Sequence, residues 1–167
     1  MAVKQSALAR EIRQGKPFQS RRHEATLGLL KTTDLLRQRG SKILEPFGVT
    51  DQQYNVLRIL RGAGAKGLPT LEIADRMIER APGITRLIDR LEKKKLVARK
   101  RCATDRCQVF CLLAPAGGRL LASMDGPVSA MDAFLRALGD SDVDTLIRLL
   151  DAIRAGLSAS TRSRRKA

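Results

Sequence analysis

The sequence predicts an α+β fold that is mostly helical and contains one small β-hairpin. Apolar residues recur at helical spacing through most of the 167-residue chain, which favours amphipathic helices. Strand-like patterning is confined to residues 96–102 and 108–113, two short segments joined by a polar, charged tip. With 43% hydrophobic residues, the chain carries enough apolar surface to bury a core.

The two ends of the chain are predicted to lack stable structure. Residues 1–17 are polar and basic, which is typical of a mobile arm. Residues 159–167 form a basic tail without an apolar stripe, and such a composition cannot bury enough surface to fold.

A long helix is predicted within residues 18–48, because apolar residues recur at roughly helical spacing until Pro46 stops the run. A second helix is predicted over 51–61. Thr50 or Asp51 can cap it, since either side chain can accept a hydrogen bond from a backbone N–H of the first turn.

Two further helices follow in close succession. Thr70 is predicted to cap a short third helix. The clearest amphipathic helix of the chain is predicted over residues 82–94. It can start at Pro82, because proline is tolerated at a first helical position. Its apolar residues are spaced i, i+3, i+4 and i+7 and are Ile84, Leu87, Ile88 and Leu91.

Beyond Pro115 the chain becomes apolar and slightly acidic. One long helix, kinked by Pro127, is predicted to run to residue 138, and Ser141 is predicted to cap a last helix. The terminal helices carry more apolar residues than the middle of the chain can cover, so we expect them to pack together and against a second copy. The alternative is a bundle closed within one chain.

The charge distribution predicts a polyanionic partner. The chain has 32 Lys and Arg, 17 Asp and Glu, and a net charge of +15. Residues 61–113 alone hold 13 basic and 6 acidic side chains, and phosphate neutralisation by such a surface releases counterions. Aromatic residues make up only 3%, too few for a stacking platform on single strands, so duplex DNA is favoured. The alternative is a basic surface that is merely solvated.

Other function classes lack their sequence signals. A single histidine, and the absence of a glycine-rich loop ending in G-K-[ST], argue against an enzyme and against a bound cofactor. No apolar run approaches the roughly 18 residues of a membrane span, and Arg10 and Arg13 stand where a secretory leader would be apolar. We therefore expect a cytoplasmic protein with no membrane partner.

The outward face of the helix at 82–94 has the composition of a DNA-recognition helix. If its apolar stripe is buried, the opposite face is polar and mostly basic, and such a face can enter the major groove. Thr85 and Arg86 are predicted to reach base edges, and the later basic side chains to reach phosphates. Asp89 is expected to orient Arg86 or Arg90. The candidate DNA-binding residues of these helices are Thr70, Gly83, Thr85, Arg86, Arg90 and Lys93; the alternative for each is an ordinary solvated position.

The hairpin adds a second basic element. Its charged side chains near the tip are Arg99, Lys100, Arg101, Asp105 and Arg106. This arrangement suits insertion of an arginine into a narrow minor groove. Arg101, Asp105 and Arg106 are therefore further DNA-binding candidates, with a solvent-exposed basic turn as the alternative.

A short helix, a recognition helix and a basic hairpin in this order predict a winged helix-turn-helix. We place this DNA-binding module at residues 49–113. Residues 18–48 and 114–158 then flank it as dimerisation helices.

Three cysteines, Cys102, Cys107 and Cys111, lie within ten residues of one another. Their spacing contains no C-x2-C pair, which argues against a zinc site. Redox sensing is one hypothesis, because the neighbouring Arg106 favours the thiolate of Cys107. If the hairpin centres between Arg106 and Cys107, then Cys102 and Cys111 face each other across the strands. The alternative is that all three are small, half-buried strand residues.

Three segments resemble the MarR family of winged-helix regulators: PGITRLIDRLEKKKLV at 82–97, the D-R core of the hairpin, and LAPAG at 113–117. The resemblance is strongest over residues 49–118. It implies a homodimer with interlocked terminal helices that binds a palindromic operator. It also implies repression that a small phenolic or aromatic ligand, or a cysteine oxidation, relieves.

Two positions depart from the family pattern. Cys107 stands where the D-x-R pattern of the family places the minor-groove arginine, so Arg106 would have to replace that arginine. Lys95 stands where a glycine commonly ends the recognition helix. A left-handed lysine there costs about 1 kcal/mol relative to glycine, unless the helix ends differently.

A ligand pocket is expected where the terminal helices meet the winged helix, lined by Leu30, Phe47, Tyr54 and Met131; the alternative is packed core. We predict a sequence-specific regulator of transcription that binds double-stranded DNA, a repressor that a small aromatic effector or a cysteine oxidation releases. The alternative is an architectural DNA-binding protein without sequence preference, whose basic ends supply most of the affinity.

Overall fold

A computed structural model describes residues 6–101 and 109–164 of the chain. These residues are mostly helical and include a small three-stranded antiparallel sheet, so the predicted α+β fold class is confirmed. The chain divides into two compact units, residues 1–128 and residues 129–167.

The first unit begins with two capped helices. Helix α1, Ala7–Glu11, starts at Ser6, whose hydroxyl accepts a hydrogen bond from the Ala9 N–H at 3.2 Å. Helix α2, Arg21–Leu44, starts at Ser20 in the same way. Part of the arm predicted at 1–17 is therefore helical, and Ala9 within it is buried.

Helix α3, Asp51–Ala63, follows a short 3-10 turn at Glu45–Phe47. The Thr50 hydroxyl accepts a hydrogen bond from the Gln53 N–H, and the Gln53 side chain accepts one from the Thr50 N–H, each at 3.3 Å. This reciprocal pair satisfies two backbone donors at once. It starts α3 where the sequence predicts.

The next two helices are α4, Thr70–Arg76, and α5, Ile84–Lys93. Thr70 is the first residue of α4, and Pro69 occupies the capping position without a side-chain hydrogen bond, so the prediction that Thr70 caps this helix is wrong. Helix α5 begins at Ile84 rather than at Pro82, which belongs to the preceding turn.

The sheet has the order β1-β3-β2, and both pairings are antiparallel. Strands β2, Val97–Arg101, and β3, Val109–Leu113, form the predicted hairpin, which we call the wing. Strand β1, Leu68–Pro69, pairs with the other edge of β3. The sequence does not predict β1, because two residues ending in proline carry no alternation. This short strand joins the wing to the start of α4.

The C-terminal helices differ from the prediction in their boundaries. Helix α6, Pro115–Ser129, holds Pro127 within it and is followed by a 3-10 segment, Ala130–Leu135. A single helix to residue 138 is therefore wrong. Helix α7, Asp140–Arg164, starts before Ser141, so Ser141 is not its cap, and it extends into the segment 159–167 that was expected to be a disordered tail.

The core of the first unit lies where α3, α4, α5, α6 and β3 meet. Ile73 provides the buried contact of α4, whereas Leu71 is 77% exposed, because only one side of this short helix faces the core. The residues of this core with no measurable exposure are Val56, Leu57, Leu60, Ile73, Ile88, Leu91, Cys111, Leu121 and Met124.

Candidate nucleic-acid interface

Helix α5 is amphipathic, as its sequence predicts. The four residues of its apolar stripe are each at most 9% exposed: Ile84, Leu87, Ile88 and Leu91. The opposite face is exposed to solvent and carries Thr85, Arg86, Arg90 and Lys93. Because a helix turns by about 100° per residue, Arg86, Arg90 and Lys93 form one stripe whose centre lies about 140° around the helix from that of the buried stripe. This stripe is the candidate DNA-facing surface.

The start of α5 is held by the elements around it. Gly83 takes the capping position with a φ of 121°, a backbone conformation that favours glycine. The turn before it receives two contacts. The Ile78 N–H donates to the side-chain oxygen of Asn55 at 2.9 Å, and Glu79 pairs with Arg37 of α2 at 3.0 Å. The segment that leads into α5 is therefore held against both α2 and α3.

The end of α5 keeps a left-handed residue although it lacks glycine. Lys95 has a φ of 58°, so a left-handed lysine does end this helix. Its N–H donates to the Glu92 carbonyl at 2.8 Å. The Lys94 side chain turns back towards α3. Its Nζ donates to the Gly48 carbonyl at 2.5 Å and lies 3.4 Å from the side-chain oxygen of Gln53. Lys94 therefore binds protein rather than extending the basic stripe.

Thr70, the DNA-binding candidate at the start of α4, is half-buried. Its hydroxyl lies 3.7 Å from the Sγ of Cys111 in β3. This contact ties the start of α4 to the sheet. A role for Thr70 in DNA binding stays a prediction.

Arg99 of β2 has a different role from the one that the sequence suggests. Its guanidinium lies 2.6 Å from the Asp89 carboxylate and 2.7 Å from the Glu92 carboxylate, both on α5. The hydrogen bond to Asp89, together with the charge of Glu92, outweighs desolvation and raises the pKa of Arg99 above its usual value. Asp89 therefore holds Arg99, and the prediction that it orients Arg86 or Arg90 is wrong. The placement of Arg99 in an exposed basic tip is wrong as well.

The rest of the wing is described only in part. Arg101, the last residue of β2, is exposed. The candidates Asp105 and Arg106 lie outside the described residues, as do Cys102 and Cys107. Their roles stay predictions.

Cys111 is fully buried and sits opposite Arg99 in the β2–β3 register. The hypothesis of a Cys102–Cys111 pair requires Cys102 in that position, so the observed register contradicts it. The described contacts of Cys111 are those of a small core residue. Redox sensing at Cys102 or Cys107 is untested by this geometry.

The four residues predicted to line a ligand pocket are not shown to share one cavity. Phe47 and Tyr54 pack against the core of the first unit. Leu30 is 61% exposed on α2, and Met131 belongs to the second unit. A separate open cavity of about 830 Å³ lies between the end of α2, the start of α3 and the end of α5. Its cationic lining residues are Lys42, Arg90, Lys93 and Lys94, and its acidic ones are Glu45 and Asp51.

Comparison with known proteins identifies the family. The MarR family profile matches residues 47–106. The HTH-type transcriptional regulator FarR of Neisseria gonorrhoeae is 29% identical over 124 residues, which is 74% of this chain and 84% of FarR. A MarR transcription factor from Planctomyces limnophilus is 39% identical with a TM-score of 0.63, and the match covers 81% of this chain and 99% of that one.

A third relative was solved with a small molecule. The structure of NadR in complex with 4-hydroxyphenylacetate is 30% identical to this chain, with a TM-score of 0.63. The match covers 83% of this chain and 97% of NadR.

A winged helix-turn-helix with an exposed basic stripe on its second helix defines a class of transcriptional regulators. This chain belongs to the MarR family of that class. Among the described residues, no helix is long and apolar enough to cross a membrane.

Proposed function

We propose that this protein is a cytoplasmic repressor that binds a palindromic operator in double-stranded DNA as a homodimer, and that it is not an enzyme. The observation that carries this proposal is the exposed stripe of Arg86, Arg90 and Lys93, which lies opposite a fully apolar, buried stripe on α5. A helix of this kind can lie in the major groove without uncovering its core.

The position of each side chain along α5 supports a distinct role. Thr85 and Arg86 are in the first turn, where a recognition helix approaches base edges, and an arginine there can contact guanine with two hydrogen bonds. Arg90 and Lys93 are one and two turns later, where long cations reach phosphates. Gly83 at the start of the helix allows close approach of the backbone, and Arg101, with Asp105 and Arg106 beyond it, is assigned to the side of the minor groove.

Exposed apolar residues support the homodimer. Leu30 of α2 is 61% exposed, and Leu149 and Ile153 of α7 are 58% and 46% exposed. Exposure of large apolar side chains on long helices costs free energy unless a partner covers them. We assign 18–48 and 114–158 to the dimer interface. Two-fold symmetry of the dimer would then require a palindromic operator.

The cavity beside α5 supports release by a small aromatic acid. Arg90 and Lys93 belong both to the candidate DNA-facing stripe and to the lining of this cavity. A carboxylate bound there would draw these cations away from phosphates. That NadR was solved with 4-hydroxyphenylacetate gives a first compound to test.

The decisive experiment selects duplexes from random DNA with the purified full chain and sequences them. We expect a two-fold-symmetric motif, bound about 10³-fold or more tightly than random duplex. Enrichment without symmetry, or equal affinity for every duplex that falls with salt, would favour the architectural alternative.

The Arg86→Ala variant tests the recognition helix on the selected operator. We expect an affinity loss of about 1–3 kcal/mol and relaxed preference at one base position of each half-site. Lys66→Ala, which removes an exposed cation outside α5, is the matched control. Equal losses for the two variants would argue against base contact by Arg86.

A further inference from the structure

Arg99 lies where the wing meets α5, and its positive charge pairs with carboxylates of the protein itself. Its side chain is 25% exposed and bridges two carboxylates with separate nitrogens, Nη2 to Asp89 and Nη1 to Glu92. The next two residues of the strand, Lys100 and Arg101, are exposed instead. Arg99 therefore pairs with carboxylates of α5, whereas the two cations that follow it in β2 face solvent.

Asp89 and Glu92 would oppose DNA binding if they were unpaired. Both lie in the second half of α5, where the helix dipole disfavours negative charge. Both also lie beside the stripe of Arg86, Arg90 and Lys93, so a free carboxylate there would repel phosphates. Arg99 of β2 supplies the positive charge that pairs with both carboxylates.

The same contacts limit rotation of α5 about its axis. Thr85, Asp89 and Glu92 are spaced i, i+4 and i+7, so they share one edge of the helix. Arg99 holds this edge against β2. The sheet is in turn tied to α4 by the β1–β3 pairing and by the contact between Thr70 and Cys111. With this edge held, the basic stripe faces away from the protein.

We propose that Arg99 is a positioning residue for sequence recognition, which makes no DNA contact and orients α5 by gripping Asp89 and Glu92. The inference rests on the operator binding proposed above. It predicts that loss of Arg99 lowers specificity, whereas loss of an exposed neighbour lowers affinity for all DNA.

The test compares R99Q with K100Q in the full chain, because each removes one positive charge from adjacent positions of β2. Affinities are measured over a salt series for the operator selected by the wild-type protein and for a random duplex of equal length. For R99Q we expect weaker binding to both duplexes, because Asp89 and Glu92 lose their countercharge, and a further loss on the operator that lowers the operator-to-random ratio on the order of tenfold. For K100Q we expect an unchanged ratio.

Two further variants separate positioning from a general structural role. D89N removes a carboxylate beside the basic stripe, so random-duplex affinity should rise while the operator-to-random ratio falls. In the double variant D89N/R99Q the two losses of ratio should not add, because both act through one contact. R99K, which keeps the charge, should recover part of the ratio. Thermal melts of all variants control for folding, and R99K and D89N carry the test if R99Q does not fold.

Two outcomes would overturn the role of Arg99 alone. One is an equal loss on both duplexes with a salt slope reduced by about one, which marks a phosphate contact. The other is an unchanged ratio in R99Q. If the wild-type chain itself selects no motif, the proposed operator binding fails, and the inference that rests on it fails too.

Discussion

At the scale of single residues, the turn after α5 shows how a local sequence departure appears in the backbone. Lys95 keeps a φ of 58°, a left-handed conformation that a Cβ disfavours by about 1 kcal/mol. Lys94 anchors the same turn through Gly48. The turn is therefore held by its neighbours rather than by a residue suited to it.

Lys95→Gly is expected to stabilise the protein by about 0.5–1 kcal/mol, because glycine removes the strain of the left-handed backbone. The higher conformational entropy of glycine in the unfolded chain offsets only part of this stabilisation. The measurement is the midpoint of urea unfolding. Lys93→Gly is the matched control, since Lys93 is the last residue of the helix, where glycine should destabilise by less than about 1 kcal/mol. A lower midpoint for both variants would show that the left-handed backbone at Lys95 costs nothing.

At the scale of elements, most of the helix-turn-helix could be predicted because its signals are local. The i, i+3, i+4, i+7 stripe of α5 identifies its buried residues, and the Thr50 and Gln53 pair marks the start of α3. The Arg99 contacts could not be predicted from local spacing alone, since they join a helix to the next strand. A signal was present in the acidic pair at i and i+3 on a helix followed by a basic strand. Strand β1 depends on its pairing with β3, which no local pattern predicts.

The junction between α5 and α6 gives a test at this scale. A Cβ at Gly117 would collide with the Leu96 carbonyl oxygen and lie 2.8 Å from Leu113 Cδ1. The Ala114 N–H also donates to that carbonyl, at 3.0 Å. Gly117 therefore lets α6 start against the turn that ends α5.

Gly117→Ala should destabilise the protein by about 1–3 kcal/mol, since the clash is with backbone that cannot move cheaply. Gly118→Ala is the control, because its Cβ would meet Leu113 Cδ2 at an ordinary 4.0 Å. Alanine is the better helix former, so Gly118→Ala should stabilise by roughly 0.5–1 kcal/mol. The two urea midpoints should thus move in opposite directions, and a common direction would contradict the close approach at Gly117.

At the scale of the whole molecule, the charge and the apolar surface point to different partners. The net charge of +15 favours a polyanionic partner such as DNA. The exposed apolar residues of α2 and α7 favour contact with another protein surface instead. A homodimer satisfies the second requirement and leaves the stripe on α5 for the first.

Glutamate placed in the apolar surface of α7 tests this proposal. In wild-type protein we expect a mass of two chains by light scattering at micromolar concentration. Ile153→Glu combined with Leu149→Glu should give a single-chain mass, because burying two unpaired carboxylates in an interface costs several kcal/mol. The monomer should also lose most of its operator affinity, since one recognition helix contacts one half-site.

Ala155→Glu is the control, because Ala155 is an exposed residue of α7 that points about 160° away from Ile153 around the helix. It adds the same charge and should leave both mass and operator affinity unchanged. Dissociation by Ala155→Glu alone would place the interface on the opposite face of α7. A double variant that remains a dimer with full operator affinity would remove α7 from the interface.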